Sequence, residues 1–226
     1  GFALDHAAMM RAALSLFEAT ARAAYLDDAQ RWRDVLLRDF IVSETGILAM
    51  TAKDGERLLV RPQPTHDDAV PNANGVFAEA LVRLAQVTGA EDDRALAESA
   101  LTTLAGIARI EPVAHASVLN ALDLYLRGLT IVISGGQSGR LREAALSLPY
   151  LERSVCALTG SRTLDENHPA RSAVLQGEGA QALICSGMRC SLPVTNPAAL
   201  LHRARDMLAG LGTNDEMKSA GHRPGQ

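Results

Sequence analysis

Apolar residues return at helical spacing through most of the first 127 positions, which ties that stretch to packed helices rather than sheets. Met10, Leu14, Phe17 and Ala21 share one face over residues 4–24. Trp32, Leu36 and Phe40 carry the pattern over residues 26–40, after Asp27-Asp28, an acidic start suited to a helix N-terminus. The two segments read as an αα-hairpin. Val76, Ala80, Leu84 and Val87 make a further stripe, with Asn74 as its N-cap and Thr88-Gly89 as its stop. Glu91-Asp92-Asp93 opens the next helix, with Leu96, Ala100, Leu104 and Ile107 inside. A fifth helix over residues 114–127 presents Val118, Leu122 and Tyr125. An aromatic content of 4%, with abundant Ala and Leu, agrees with helices.

The period breaks twice. Ile47–Thr51 and Leu58–Val60 around Asp54-Gly55 predict two short strands and a tight turn. Pro62, Pro64 and Pro71 keep the next loop extended. At Thr130 a β-branched run, Thr130–Ser134, precedes Gly135-Gly136-Gln137-Ser138-Gly139 and a helical stretch to Leu146. Val155–Leu158 and Ala180–Cys185 read as strands, and residues 197–211 as a last helix. The organisation is therefore a helical region over 1–128, a small α/β region over 129–212, and a polar tail, 213–226, expected to be disordered.

The 226 residues are 47% hydrophobic and 21% charged, an ordinary globular composition. A net charge of −4 leaves no basic surplus for a run of phosphates, which excludes nucleic acid as a partner. No apolar run reaches the roughly 18–20 residues that span a bilayer, and no signal segment opens the chain. We therefore expect no membrane association and a cytoplasmic protein. Gly1-Phe2-Ala3 runs straight into a helical pattern, as in a chain cut from something longer. Three cysteines do not make a disulfide framework.

Polar chemistry concentrates in the loop before the third helix. His66-Asp67-Asp68 with Asn72 and Asn74 offers paired donors and acceptors for sugar hydroxyls, and His66 beside carboxylates suits a general base. The same Asp and Asn residues also cap turns and helices. Arg61 can orient Asp67 or an anionic ligand through its fork, or form a plain salt bridge. Cys185 and Cys190 lie too far apart for C-x-x-C, with Arg189 the only local cation, so a buried pair of thiols is the expectation and a redox pair the alternative. His202 and Cys156 are unpatterned as further zinc ligands, and no metal or cofactor is expected. The 135–139 run fits neither phosphate-binding glycine pattern and reads as a βα turn.

Three ordered segments carry a resemblance. Leu4-Asp5-His6-Ala7 with Leu16–Thr20 comes first; Thr51–Glu56, Leu59-Val60-Arg61-Pro62 and Asp67–Pro71 come next; Ile184–Cys190 with Pro193–Pro197 comes last. Ala121–Leu126 and Ile131–Ser134 also fit in order. Together they resemble the long thioredoxin-domain-containing proteins of the bacterial YyaL and animal spermatogenesis-associated protein 20 type, over residues 3–205. The resemblance implies a mainly α fold: part of an (α/α)6 toroid, six-hairpin glycosidase-like and similar to N-acylglucosamine 2-epimerases, with a small C-terminal α/β region. It implies an N-terminal thioredoxin-like domain and the remaining toroid as partners. It also puts Asp5 and His6 at the same toroid mouth as the loop, with His6 a second candidate base, although Asp5 also suits a first-turn acid. His6 stands where the family usually has Asp, and Asp68 where it has Gly. Asn74 matches the family Asn. The functional expectation is a carbohydrate-binding or sugar isomerase-like toroid, with a non-catalytic scaffold for a thioredoxin-like redox domain as the alternative.

Overall fold

The computed structural model describes residues 1–55, 59–160, 164–176 and 179–220, with 211–220 described by backbone alone. The chain is mainly helical. Helix α1 spans Ala3–Thr20 and α2 spans Ala23–Val35, running on through a π turn at Leu36–Phe40. Helices α3 (Ala73–Thr88), α4 (Glu91–Ala108) and α5 (Ala116–Arg127) follow. Helix α2 thus begins ahead of the acidic pair Asp27-Asp28, which sits inside it. The N-cap of α3 is Asn72, not Asn74: its side chain accepts from the Gly75 amide.

Helix α3 is the centre of the helical layer, with α1, α4 and α5 all packed on it. Every residue from Ala73 to Leu84 is buried. The stripes of Met10, Leu14 and Phe17 on α1, Leu81 and Leu84 on α3, and Leu101 and Leu104 on α4 meet in one core. Helices α2 and α4 lie outside and turn charged faces outward, among them Asp27, Arg31, Asp34, Asp92 and Arg94. Inner α1, α3 and α5 with outer α2 and α4 is the order that αα-hairpins produce when each buries one apolar face.

The first strand pair differs from expectation. Strand β2 (Ile47–Leu48) pairs antiparallel with β1 (Ile41–Val42), in the register Ile41↔Leu48 and Val42↔Ile47. Leu58 lies outside the described residues, and Leu59 and Val60 are exposed. A side chain occupies the Leu48 backbone: its amide donates to Asn74 Oδ1 and its carbonyl accepts from Asn74 Nδ2. Both Leu48 backbone groups are thus engaged by Asn74.

The second sheet follows the predicted change of period. Strands β3 (Leu129–Ser134), β4 (Arg153–Ala157), β5 (Gln181–Ser186) and β6 (Arg189–Cys190) lie in the order β4-β3-β5-β6. Helix α6 (Gly139–Leu146) makes the crossover that lets β3 and β4 run parallel, while β5 returns antiparallel and β6 closes a hairpin. The two faces of the sheet serve two cores. Val132, Cys156, Leu183 and Cys185 face the helices. Leu129, Ile131, Ile133, Val155 and Ile184 pack with Leu141 of α6 and with Leu200 and Ala204 of α8 (Pro197–Ala220). Burial on both faces explains why β3 reads as a continuous apolar run. The short helix α7 (Arg171–Gln176) precedes β5. Helix α8 extends past residue 211 into the tail expected to be disordered, and 221–226 lie outside the described residues.

Candidate functional site

The loop before α3 is stapled by its own polar groups. Asp67 Oδ1 accepts from the Asn72 amide at 2.9 Å, from Asn72 Nδ2 at 2.8 Å and from Ser117 Oγ at 2.6 Å. Its Oδ2 accepts from the Ser117 amide at 2.7 Å. Burial works to raise its pKa, but the donors from Ser117 and Asn72 outweigh it and hold the carboxyl below its ordinary value. Asp67 therefore ties the start of α3 to the start of α5.

Asn74 is 1% exposed and clamps β2, donating also to the Pro64 carbonyl at 3.0 Å. Among the described residues Arg61 bonds neither Asp67 nor any other carboxylate. Its Nη2 donates to the carbonyls of Thr51 at 2.6 Å and Asp39 at 3.3 Å. Asp5 accepts from the Phe2 amide at 2.8 Å, as a first-turn acid does. His6 is half-buried, with Nδ1 2.9 Å from the Phe2 carbonyl and its ring against Trp32 and Phe40. His66 is exposed, its Nε2 3.7 Å from Glu111 and its ring centroid 4.5 Å from that of His115. The two candidate bases thus have separate surroundings.

A cavity of 560 Å³ opens beside this loop. Asp67, Asp68 and the Ala69–Pro71 segment form one wall. Arg11 comes from α1, Val76 and Glu79 from α3, Ser117 and Asn120 from α5, and Tyr150 from the 3-10 turn before β4. Asp68 and Asn120 are exposed, and neither side chain is engaged elsewhere among the described residues. Arg11 meets Glu79 only at 3.8 Å. Neither His6 nor His66 lines the cavity.

The floor is fixed by a buried charge network. Arg83 is 0% exposed; its Nε donates to Glu79 at 2.8 Å, its Nη1 to the Arg153 carbonyl at 2.8 Å, and its Nη2 to the Tyr150 carbonyl at 2.7 Å. Arg83 Nη1 also lies 3.4 Å from Glu18, which in turn accepts from Arg153. The Arg83 guanidinium stacks 3.6 Å from the Tyr150 ring centroid. Burial pushes the Tyr150 hydroxyl above the ordinary phenol range. The sequence reading missed Arg11, Glu79, Asn120 and Tyr150. The Glu79–Arg83 pair, four apart inside an otherwise apolar helix, was the one local signal for them.

Cys185 and Cys190 are not the free thiols expected. They are register partners across β5 and β6 and form a disulfide. Cys156 of β4 is buried in the helical core. Among the described residues no cluster of three His, Cys, Asp or Glu side chains is arranged to hold a metal ion. No described helix is long and apolar enough to cross a membrane.

Stacked αα-hairpins backed by a small mixed sheet, with a polar cavity beside the inner helices, define a mainly helical, hairpin-built protein. No protein-family profile matches the chain. Human spermatogenesis-associated protein 20 is 31% identical over 209 residues, covering 88% of this chain and 27% of that protein. The rat protein of the same name is 31% identical, with 26% of its length covered. The chain belongs to the spermatogenesis-associated protein 20 family. It spans about a quarter of the length of the curated relatives it matches.

Proposed function

We propose that this chain is the carbohydrate-binding C-terminal region of a thioredoxin-domain-containing cytoplasmic protein. In this reading its helical hairpins form part of an (α/α)6 toroid, completed by the rest of the ring and joined to an N-terminal thioredoxin-like domain. The observation that supports it is the 560 Å³ cavity, in which Asp68, Asn120 and Arg11 surround the Tyr150 turn. That volume suits a monosaccharide-sized ligand. A carboxylate, an amide and a guanidinium together supply the acceptors and donors that adjacent hydroxyls require. Asp67, Asn72, Asn74 and Arg61 would act as positioning residues, because their polar groups already hold the loop.

Isomerase chemistry would require a base within hydrogen-bond reach of the sugar carbon acid. His66, one residue before Asp67, is the first candidate and His6 the second; neither lines the cavity, so this reading needs one of them to be brought to it when the ring is complete. The alternative reading is a non-catalytic scaffold for the redox domain. The engagement of Asp67, Asn72 and Asn74 inside the protein favours it.

Saturation-transfer NMR against free aldoses and N-acetylhexosamines tests the binding. Signal at the sugar protons that disappears in Asp68→Ala/Asn120→Ala supports a carbohydrate site, and no transfer across the panel refutes it. Incubation of binders in D2O then separates the readings. Deuterium entering at C2, and lost in His66→Ala or His6→Ala, supports the isomerase; binding without exchange leaves a carbohydrate-binding scaffold.

A further inference from the structure

A second cavity, of 830 Å³, lies at the C-terminal end of α3 and shares no lining residue with the first. Its walls are held from three sides. Gly187 and Met188, at the tip of the β5–β6 hairpin, form one wall, and the Cys185–Cys190 disulfide closes that hairpin behind them. The loop 166–169 forms a second. There His168 is 3% exposed, with Nε2 3.1 Å from the Gln86 carbonyl and Nδ1 accepting from the Ala170 amide at 3.1 Å. The loop seats directly on Gly89, where an added Cβ would stand 2.6 Å from His168 Cβ. The first turn of α4 forms the third wall, with Arg94 held by both oxygens of Glu91 at 2.7 and 3.0 Å. Walls fixed in this way leave little to be ordered when a ligand enters.

The charges favour one sign. Helices α3 and α5 both end at the cavity, through Gly89 and Gly128; α3 has no basic residue in its last turn and presents its electronegative end, whereas Arg127 offsets that of α5. Helix α4 begins there, but Glu91, Asp92 and Asp93 fill its first turn and offset its positive end. Of the charged side chains lining the space, Arg94 and Glu91 neutralise each other. Glu166 has no ion-pair partner among the described residues. The remaining surface is largely apolar, including Val82, Tyr125, Leu126 and Met188.

We propose that this cavity binds a small organic cation: an amine on an aromatic or branched apolar body. The ammonium faces Glu166 and the end of α3, and the body packs on Tyr125 and Met188. The site is independent of the carbohydrate reading and does not rest on it.

The test compares 2-phenylethylamine with its neutral isostere 2-phenylethanol, followed by the 13C-methyl signal of Met188. The amine is expected to give a saturable shift, at least about tenfold tighter than the alcohol, because a charge-assisted contact is lost in the latter. Glu166→Gln, on an exposed loop, should weaken the amine about five- to tenfold and leave the alcohol unchanged. Met188→Ala, read by calorimetry, should weaken both. Equal binding of amine and alcohol, no saturable shift with the amine, or indifference of the amine to Glu166→Gln would overturn the proposal. The alcohol comparison uses the unmodified protein and so stands even if a variant fails to fold.

Discussion

Replacing Asn74 by Ala should unfold more than its size suggests. The side chain is 1% exposed and makes three hydrogen bonds, from the Leu48 amide at 2.7 Å and to the Leu48 and Pro64 carbonyls at 3.1 and 3.0 Å. Leu48 is itself 0% exposed, so its amide and carbonyl lose their partner where water has little access. Each unsatisfied buried group costs about 1–3 kcal/mol. With two groups fully orphaned and the Pro64 carbonyl nearer solvent, the loss comes to about 3 kcal/mol. The small volume removed adds little beside this. Urea denaturation followed by the single Trp32 reads it directly, since Trp32 packs on this core. With a slope of about 2–3 kcal/mol/M, the midpoint should fall by about 1 M while the slope stays the same. Asn74→Asp keeps the acceptor for Leu48 but loses both donors, and should also be destabilised. A loss below about 1 kcal/mol in Asn74→Ala would refute the reasoning, because it would mean that the β2 backbone finds other partners at no cost.

Three further outcomes follow from the same geometry. Arg83→Met strips buried Glu79 of its 2.8 Å donor and leaves Glu18 to Arg153 alone, and should cost about 3–5 kcal/mol by denaturant titration, as broken buried ion pairs do. Asp67 has a folded pKa below its unfolded one, so it binds its proton less readily when folded. Its contribution is full above the ordinary carboxylate value, near 3.9, and is lost as pH falls through the lower folded value. Melting curves from about pH 5 to about pH 2 should therefore fall less steeply in Asp67→Asn than in the unmodified protein. Gly89→Ala places a Cβ at a residue with φ of +81° and against His168, and should cost about 2–4 kcal/mol with a matching drop in melting temperature.

The helices were legible because each carries one long apolar stripe, and α1, α3, α4 and α5 came out where Met10, Val76, Leu96 and Val118 placed them. Strand β3 was legible because burial on both faces demands an unbroken apolar run. What failed depended on partners distant in sequence. Ile47-Leu48 read correctly as a strand, but its partner was decided by Asn74, whose amide takes the Leu48 backbone. The same contact moved the helix cap: two Asn residues stand in the right window, and only Asn72 is left to accept from Gly75. The Cys185–Cys190 spacing became a disulfide only through the β5–β6 register, which no local pattern reveals. The cavity needs Arg11, Asp68, Glu79, Asn120 and Tyr150 together, and these sit on separate elements with unremarkable neighbours.

Because Val132 belongs to the helical core while Ile131 and Ile133 belong to the other, the sheet is a bulkhead common to two compartments. Severing the chain between residues 128 and 129 would strip that bulkhead of one lining. The helical piece would lose the cover that Val132, Cys156 and Leu183 supply, and the sheet piece would turn the same side chains to water. Neither half is then expected to melt on its own terms, and the two regions should share a single calorimetric transition.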